Sequence, residues 1–258
     1  MTSDMERDTR MFGGWLRGTG FLLSGLVLLG LATVAPANAD GPGPEFKLLT
    51  DADDTFTSPD RQVRVEQYAK DMGDEGYLHQ FWTFDDKHQH AVLLNPGENT
   101  ELAGYPAGFR FSLDSQWLVR MQKLGAGYQT LFLYRRHGHE FSSATPKPLG
   151  DLAWDYFFGL PVSKTLHRDP KERDSLNHVQ AVLIKGLENN YAWMGQHWPD
   201  SRYIVISLSF DTQGEENPSP WIEGWHCVYD LKSGAFSVPP DFAENNTKAV
   251  KYPRPQSE

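Results

Sequence analysis

The sequence predicts a mainly β chain of repeated antiparallel sheets, with a partly helical insertion at about 147–197. Three observations carry this reading. Short runs alternate with a period of two: Val63 with Val65, Trp117 with Val119 and Met121, and Ile204 with Ile206 and Leu208. A turn, a strand, a second strand and a polar hairpin tip recur in that order three times. One stretch, between the second and third recurrence, breaks the pattern. A β-sandwich made from the same hairpins is the alternative architecture.

Residues 1–39 read as a secretory signal. Arg7, Arg10 and Arg17 precede an apolar stretch from Phe21 to about Ala35, and Ala37-Asn38-Ala39 is a small-x-small cleavage site. The alternative is an uncleaved membrane anchor, but the apolar stretch is shorter than the roughly 20 residues a span needs. There is no cysteine near the cleavage point for a lipid anchor and no twin-arginine pair. The mature chain is expected to start at Asp40, without a transmembrane anchor, in a periplasmic or secreted location. Residues 40–57 are rich in Gly, Pro and Asp and predict a flexible lead-in.

The domain proper is expected over 58–240. Its three recurrences begin at Ser58-Pro59-Asp60, Ser112-Leu113-Asp114 and Trp198-Pro199-Asp200. Proline presets one turn dihedral, and an aspartate bonds the backbone two residues on. Each first strand is followed by a loop and a second strand ending in an aromatic: Phe84, Tyr134 and Tyr229. Polar tips come next, at 86–90, 136–139 and 231–234, and then short third strands.

This pattern resembles the S-P-D-G-type β-propeller repeat of exported bacterial proteins, a relative of the WD-repeat blade. The resemblance covers about 120 residues in three pieces, and the glycine that usually follows the aspartate is absent from all three. It implies a propeller-like stack of four-stranded blades whose loops bind proteins. Closed propellers have at least four blades, so three recurrences do not imply a closed ring.

In the insertion, 151–158 ends at Gly159 and Pro161, a helix stop. Residues 176–187 predict a second helix, with Val179, Val182, Leu183 and Gly186 at helical spacing. The alternative is a buried strand of a fourth blade, through Val182-Leu183-Ile184. The tail, 241–258, has no core pattern and is expected to be loosely attached.

Composition narrows the chemistry. With 24 Lys+Arg against 34 Asp+Glu, the net charge of −10 argues against nucleic acid as a partner. A single cysteine excludes an internal disulfide and a Cys-based zinc site. Cys227 lies in a strand-like run. Its alignment with Trp82 and Phe132 places it on a packed face, with Trp225 or the insertion's aromatics filling the volume beside it.

Two His-x-His pairs are the sharpest chemical candidates, His88/His90 and His137/His139, the second followed by Glu140. Residues two apart on a strand share a face, so each pair could hold a metal. Their shared position at hairpin tips predicts solvated side chains and no structural metal. Asp51, Asp53 and Asp54 read as a solvated lead-in before they read as a calcium site, and adjacent Glu215 and Glu216 diverge. Asn245-Asn246-Thr247 fits a glycosylation acceptor. No serine-hydrolase elbow, phosphate loop or H-E-x-x-H motif is present.

Trp82, Trp117, Phe132 and Tyr203 are expected in the core. Trp154, Tyr156, Trp193, Trp198, Trp221 and Trp225 are expected to fill a core between insertion and sheet, or else to line a groove for sugar or peptide. The function expected is that of an exported, non-enzymatic binding or scaffold protein of the bacterial envelope. Its partner would be a protein or envelope component, with no cofactor, no metal and no catalytic residue. The alternative is a metal-dependent hydrolase using the His-x-His pairs.

Overall fold

Backbone pairing organises the chain into two sheets. The computed structural model describes residues 41–51, 55–94, 104–166, 177–184, 202–212 and 220–252, all within one compact unit, Asn38–Glu258. The first sheet holds β1 (Lys47–Leu48), β2 (Thr55–Thr57), β3 (Val63–Asp71), β4 (Tyr77–Asp85) and β5 (Ala91–Leu93), in the order β1-β3-β4-β5 with β2 also on β3. The second holds β6 (Ala107–Phe111), β7 (Trp117–Gly125), β8 (Tyr128–His137), β9 (Glu140–Ser143), β10 (Asn177–Leu183), β11 (Tyr203–Asp211), β12 (Trp221–Asp230), β13 (Ala235–Ser237) and β14 (Val250–Lys251). Its order is β13-β12-β11-β10-β8-β7-β6, with β9 on β8 and β14 on β12. The helices are α1 (Leu149–Phe158), α2 (Pro161–Thr165) and α3 (Ala243–Ala249). The chain is therefore mainly β, and among the described residues neither sheet closes on itself.

All neighbouring strands pair antiparallel except β8 and β10, which meet in parallel at one residue pair, Gln129 and Gln180. On either side of that narrow seam lies an antiparallel meander, β6 to β9 and β10 to β13.

The turns before β3 and β7 are built alike. Ser58 donates its hydroxyl to Asp60 Oδ1 (2.6 Å), which also accepts from Gln62 N (3.1 Å), while Val63 N donates to Ser58 Oγ (3.0 Å). The corresponding bonds at Ser112, Asp114, Gln116 and Trp117 are 2.5, 3.0 and 2.8 Å. Arg61 and Ser115, each just after the aspartate, have φ of 60° and 59°. That region favours glycine, and both residues are held in it by the same local bonds.

Strand alternation divides the core. Val63, Val65 and Phe81 pack against Phe109, Leu118, Phe132 and Tyr134, joining the two sheets. On the opposite face of β7 and β8, Val119, Leu131 and Leu133 share a cluster with Ala153, Trp154 and Phe157 of α1 and with Ile204, Ile206 and Leu208 of β11. Two outer faces are capped by segments that flank the sheets: Phe46 covers Tyr68, Trp82 and Phe84, and Phe242 covers Val205 and Val228.

Three sequence expectations are corrected. The lead-in is anchored, because β1 and β2 satisfy the edge of β3 and Phe46 supplies an apolar contact. Residues 177–183 form strand β10 and not a helix: Val179 and Ala181 alternate inward, and pairing with β11 outweighs helical propensity. The tail is attached through Lys251, where a 3-10 turn at Pro240–Phe242, α3 and β14 return to β12. Phe242 is fully buried, and one such side chain outweighs the absence of a repeating pattern. The insertion is partly helical, through α1 and α2. Its residues 167–176 and 185–197 lie outside the described residues, as do residues 1–39, where the sequence predicts a signal.

Candidate functional site

Among the described residues, an open concavity lies where the helical insertion meets the C-terminal segment. It is a groove of about 600 Å³ lined by Tyr156, Leu160, Val162, Trp225, Val250 and Tyr252, with α3 along one side. The walls have local causes. Pro161 starts α2 after only two intervening residues, and Leu160 and Val162 at this joint are half-buried, packed against the core with part of their surface in the groove. Tyr156 is held by stacking on Phe236 (5.4 Å, 20° between planes), and Trp225 sits edge-on to Phe157 (5.0 Å, 72°). These contacts fix the aromatic surfaces before any ligand arrives.

The polar groups beside the groove are largely spent inside the protein. Asn246 accepts from His226 N (2.7 Å) and donates to His226 O (2.9 Å), clamping α3 to β12. Thr247 donates to Ala243 O (2.8 Å). Tyr252 is 64% exposed, so an aromatic ring stands in solvent at the rim. The groove offers apolar area with few free polar groups, which suits an apolar side chain better than a sugar or an ion.

Of the six aromatics the sequence singles out, Tyr156 and Trp225 line this groove. Trp154 is buried on the inner face of α1, and Trp221 donates its indole N–H to Glu223 (3.0 Å). Trp193 and Trp198 lie outside the described residues. Val250 and Tyr252 belong to the tail and carry no sequence signal of their own; the pairing of Val250 and Lys251 with β12 brings them here.

The His-x-His tips are solvent-exposed. His88 stacks on Phe84 (3.9 Å, 5°) with Nε2 3.2 Å from both Glu66 oxygens. His90 Nδ1 lies 2.7 Å from Asp85 Oδ2, and hydrogen bonding from His90 and from Gln89 N draws the Asp85 carboxyl down to about 2. The first pair thus turns to carboxylates of its own sheet. The tips of the two sheets do approach each other, with the His90 and His139 ring centroids 6.3 Å apart. Among the described residues, no three His, Cys, Asp or Glu side chains converge as metal ligands.

Cys227 is fully buried on β12 in the cluster that contains Trp225, Trp154 and Phe157. Burial pushes its thiol far above the ordinary range. Trp82 and Phe132 are also buried, Trp82 beneath Phe46 and Phe132 between the sheets. Asn245 lies on α3 and donates to Gly224 O (2.8 Å), so its amide is engaged. Asp51 is exposed, while Asp53, Asp54, Glu215 and Glu216 lie outside the described residues. No described helix is long and apolar enough to cross a membrane. The chain matches no protein-family model and no curated protein.

Proposed function

We propose that this chain is an exported, non-enzymatic binding or scaffold protein of the bacterial envelope, and that its ligand-binding surface is the groove between the helical insertion and the C-terminal segment. The observation that carries the reading is the chemistry of that groove. Fixed aromatic walls stand beside polar groups already bonded within the protein, so the surface is prepared for apolar contact. A protein segment or envelope component with apolar side chains is the fitting ligand class. Export rests on Arg7, Arg10, Arg17 and Ala37-Asn38-Ala39.

A propeller-like arrangement is the architecture we favour for the scaffold. Support comes from the two matching turns before β3 and β7 and from the succession of packed faces. The β3 face bearing Val63 and Val65 meets the β7 face bearing Leu118. The opposite β7 face, bearing Val119, shares its cluster with α1 and β11. Blades of a propeller stack in this face-to-next-face manner, whereas a sandwich buries only one face of each sheet.

The test is retention of an envelope component by the full chain and by Val162→Arg. Binding through the groove predicts a species retained by the parent, lost with Val162→Arg and kept with Arg135→Ala, a change on an exposed β8 residue that does not line the groove. Retention that ignores Val162→Arg rejects the groove. Stoichiometric zinc in tag-free protein, together with hydrolysis that depends on His90 and His139, would favour the hydrolase alternative.

A further inference from the structure

The junction between the two sheets buries a cation that pairs with no carboxylate among the described residues. Arg120, on β7, is only 2% exposed. Its guanidinium carbon lies 4.0 Å from the ring centre of Phe132 on β8 and 4.9 Å from that of Phe81 on β4. Each sheet therefore supplies one aromatic wall. The π faces attract the charge but accept none of the in-plane N–H groups.

Those groups are orphaned. Nε and Nη1 of Arg120 are buried and have no hydrogen-bond partner among the described residues, and neither has the Tyr134 hydroxyl. Strand register puts Tyr134 on the same face as Phe132, opposite Leu118, one step along from the Arg120–Phe132 pair. Burial holds the Tyr134 phenol up at about 12, with nearby Arg120 acting the other way, so the hydroxyl keeps its proton and can donate. The carboxylates of the first sheet and its turns have partners of their own: Asp60 pairs with Arg136, Asp85 with His90, and Glu66 with Arg64 and Tyr68. Leaving a guanidinium buried without a counter-charge is among the most costly arrangements a core can hold. A water could accept from one of these donors but would not balance the charge.

We propose that Arg120 and Tyr134 form an internal site for a small inorganic anion of chloride's size and charge. It accepts from Nε and Nη1 of Arg120 and from the Tyr134 hydroxyl, between the Phe81 and Phe132 walls. The bound anion neutralises the cation that stands between one aromatic ring of each sheet. This site is separate from the groove and does not depend on what the groove binds.

The experiment is thermal unfolding of the full chain in sodium chloride, exchanged against sodium gluconate at constant ionic strength. The expected result is a saturable rise in Tm of about 5 °C as chloride replaces gluconate. Arg120→Met should abolish the dependence and should not lower Tm in gluconate, since the uncompensated charge is gone. Tyr134→Phe should keep the rise but move its midpoint several-fold higher in chloride. A parent Tm indifferent to chloride overturns the site, as does an equal rise in Arg120→Met or an unchanged midpoint in Tyr134→Phe. If Arg120→Met fails to fold, the parent and Tyr134→Phe series decide the question.

Discussion

Arg136 on β8 reaches across to Asp60 in the turn before β3, with Nη1 2.5 Å from Oδ2. Its Nη2 donates to Gln62 Oε1 (3.0 Å), and its Nε to Gly138 O (2.6 Å). The arginine is buried and Asp60 is about one-third exposed, so the pair joins the two sheets at the edge of their shared core. Burial works against the charged form of Asp60, but bonds from Ser58, Gln62 N and Arg136 together hold its carboxyl below the usual range. The stability from Asp60 is thus present above about pH 4 and is lost as pH falls through the lowered folded value. Arg136→Met should cost about 2 kcal/mol. Asp60→Asn, which keeps the turn acceptor, should cost about 1 kcal/mol. Urea unfolding at pH 7 measures both.

Arg61 occupies a left-handed position that glycine adopts freely. Arg61→Gly should stabilise the fold by about 0.5 kcal/mol, the relieved strain slightly exceeding the entropy lost to a more flexible unfolded chain. Ser115→Gly should bring no such gain, because Ser115 Oγ accepts from Asp60 N (3.1 Å). Equal effects at the two positions would show that the turns are not distinguished by that bond.

Gly150 sets how closely α1 approaches the sheet. A Cβ there would lie 2.3 Å from Thr130 Oγ1, 2.9 Å from Ala181 Cβ and 3.0 Å from Leu131 N. Two of these obstacles are a backbone atom and a Cβ, which cannot swing aside. Gly150→Ala should destabilise by about 2–3 kcal/mol, and chemical denaturation reads the loss directly.

The β reading was legible because period-two alternation survives without context, as at Val63 and Val65 or Ile204 and Ile206. The turn aspartates were legible because their bonds are local. Residues 176–187 misled because Val179, Val182 and Leu183 satisfy a helical period as well, and only pairing with β11 decides between the two. The groove was half legible. Tyr156 and Trp225 stood out as aromatics, but Val250 and Tyr252 become neighbours of α2 only through a long-range strand pairing. Arg120 gave no signal either, since a single arginine in an alternating strand reads as solvent-facing.

Burial lowers the His226 imidazole to about 4 from its ordinary value near 6.5. The neutral ring is favoured in the folded state, so full stability is present above about pH 6.5 and declines as pH falls from there toward 4, while the unfolded chain takes up a proton. The loss should be on the order of 2 kcal/mol. His226→Phe should flatten the profile between pH 6.5 and 4, and an unchanged slope in that variant would assign the decline to other groups.

Cys227 should resist maleimide in the native protein and label on addition of denaturant, because the thiol is enclosed by Trp225, Phe157 and their neighbours. Rapid native labelling would contradict the packing of α1 on β12.

The most direct measurement of binding through the groove is photo-crosslinking in bacterial cells that express the full chain. A photoreactive phenylalanine analogue at position 252, on the groove rim, is compared with one at position 113, an exposed leucine in the turn before β7. The account predicts a discrete adduct with an envelope component from position 252, abolished by Val162→Arg, and none from position 113. No adduct at 252, or the same adduct from both positions, would contradict it.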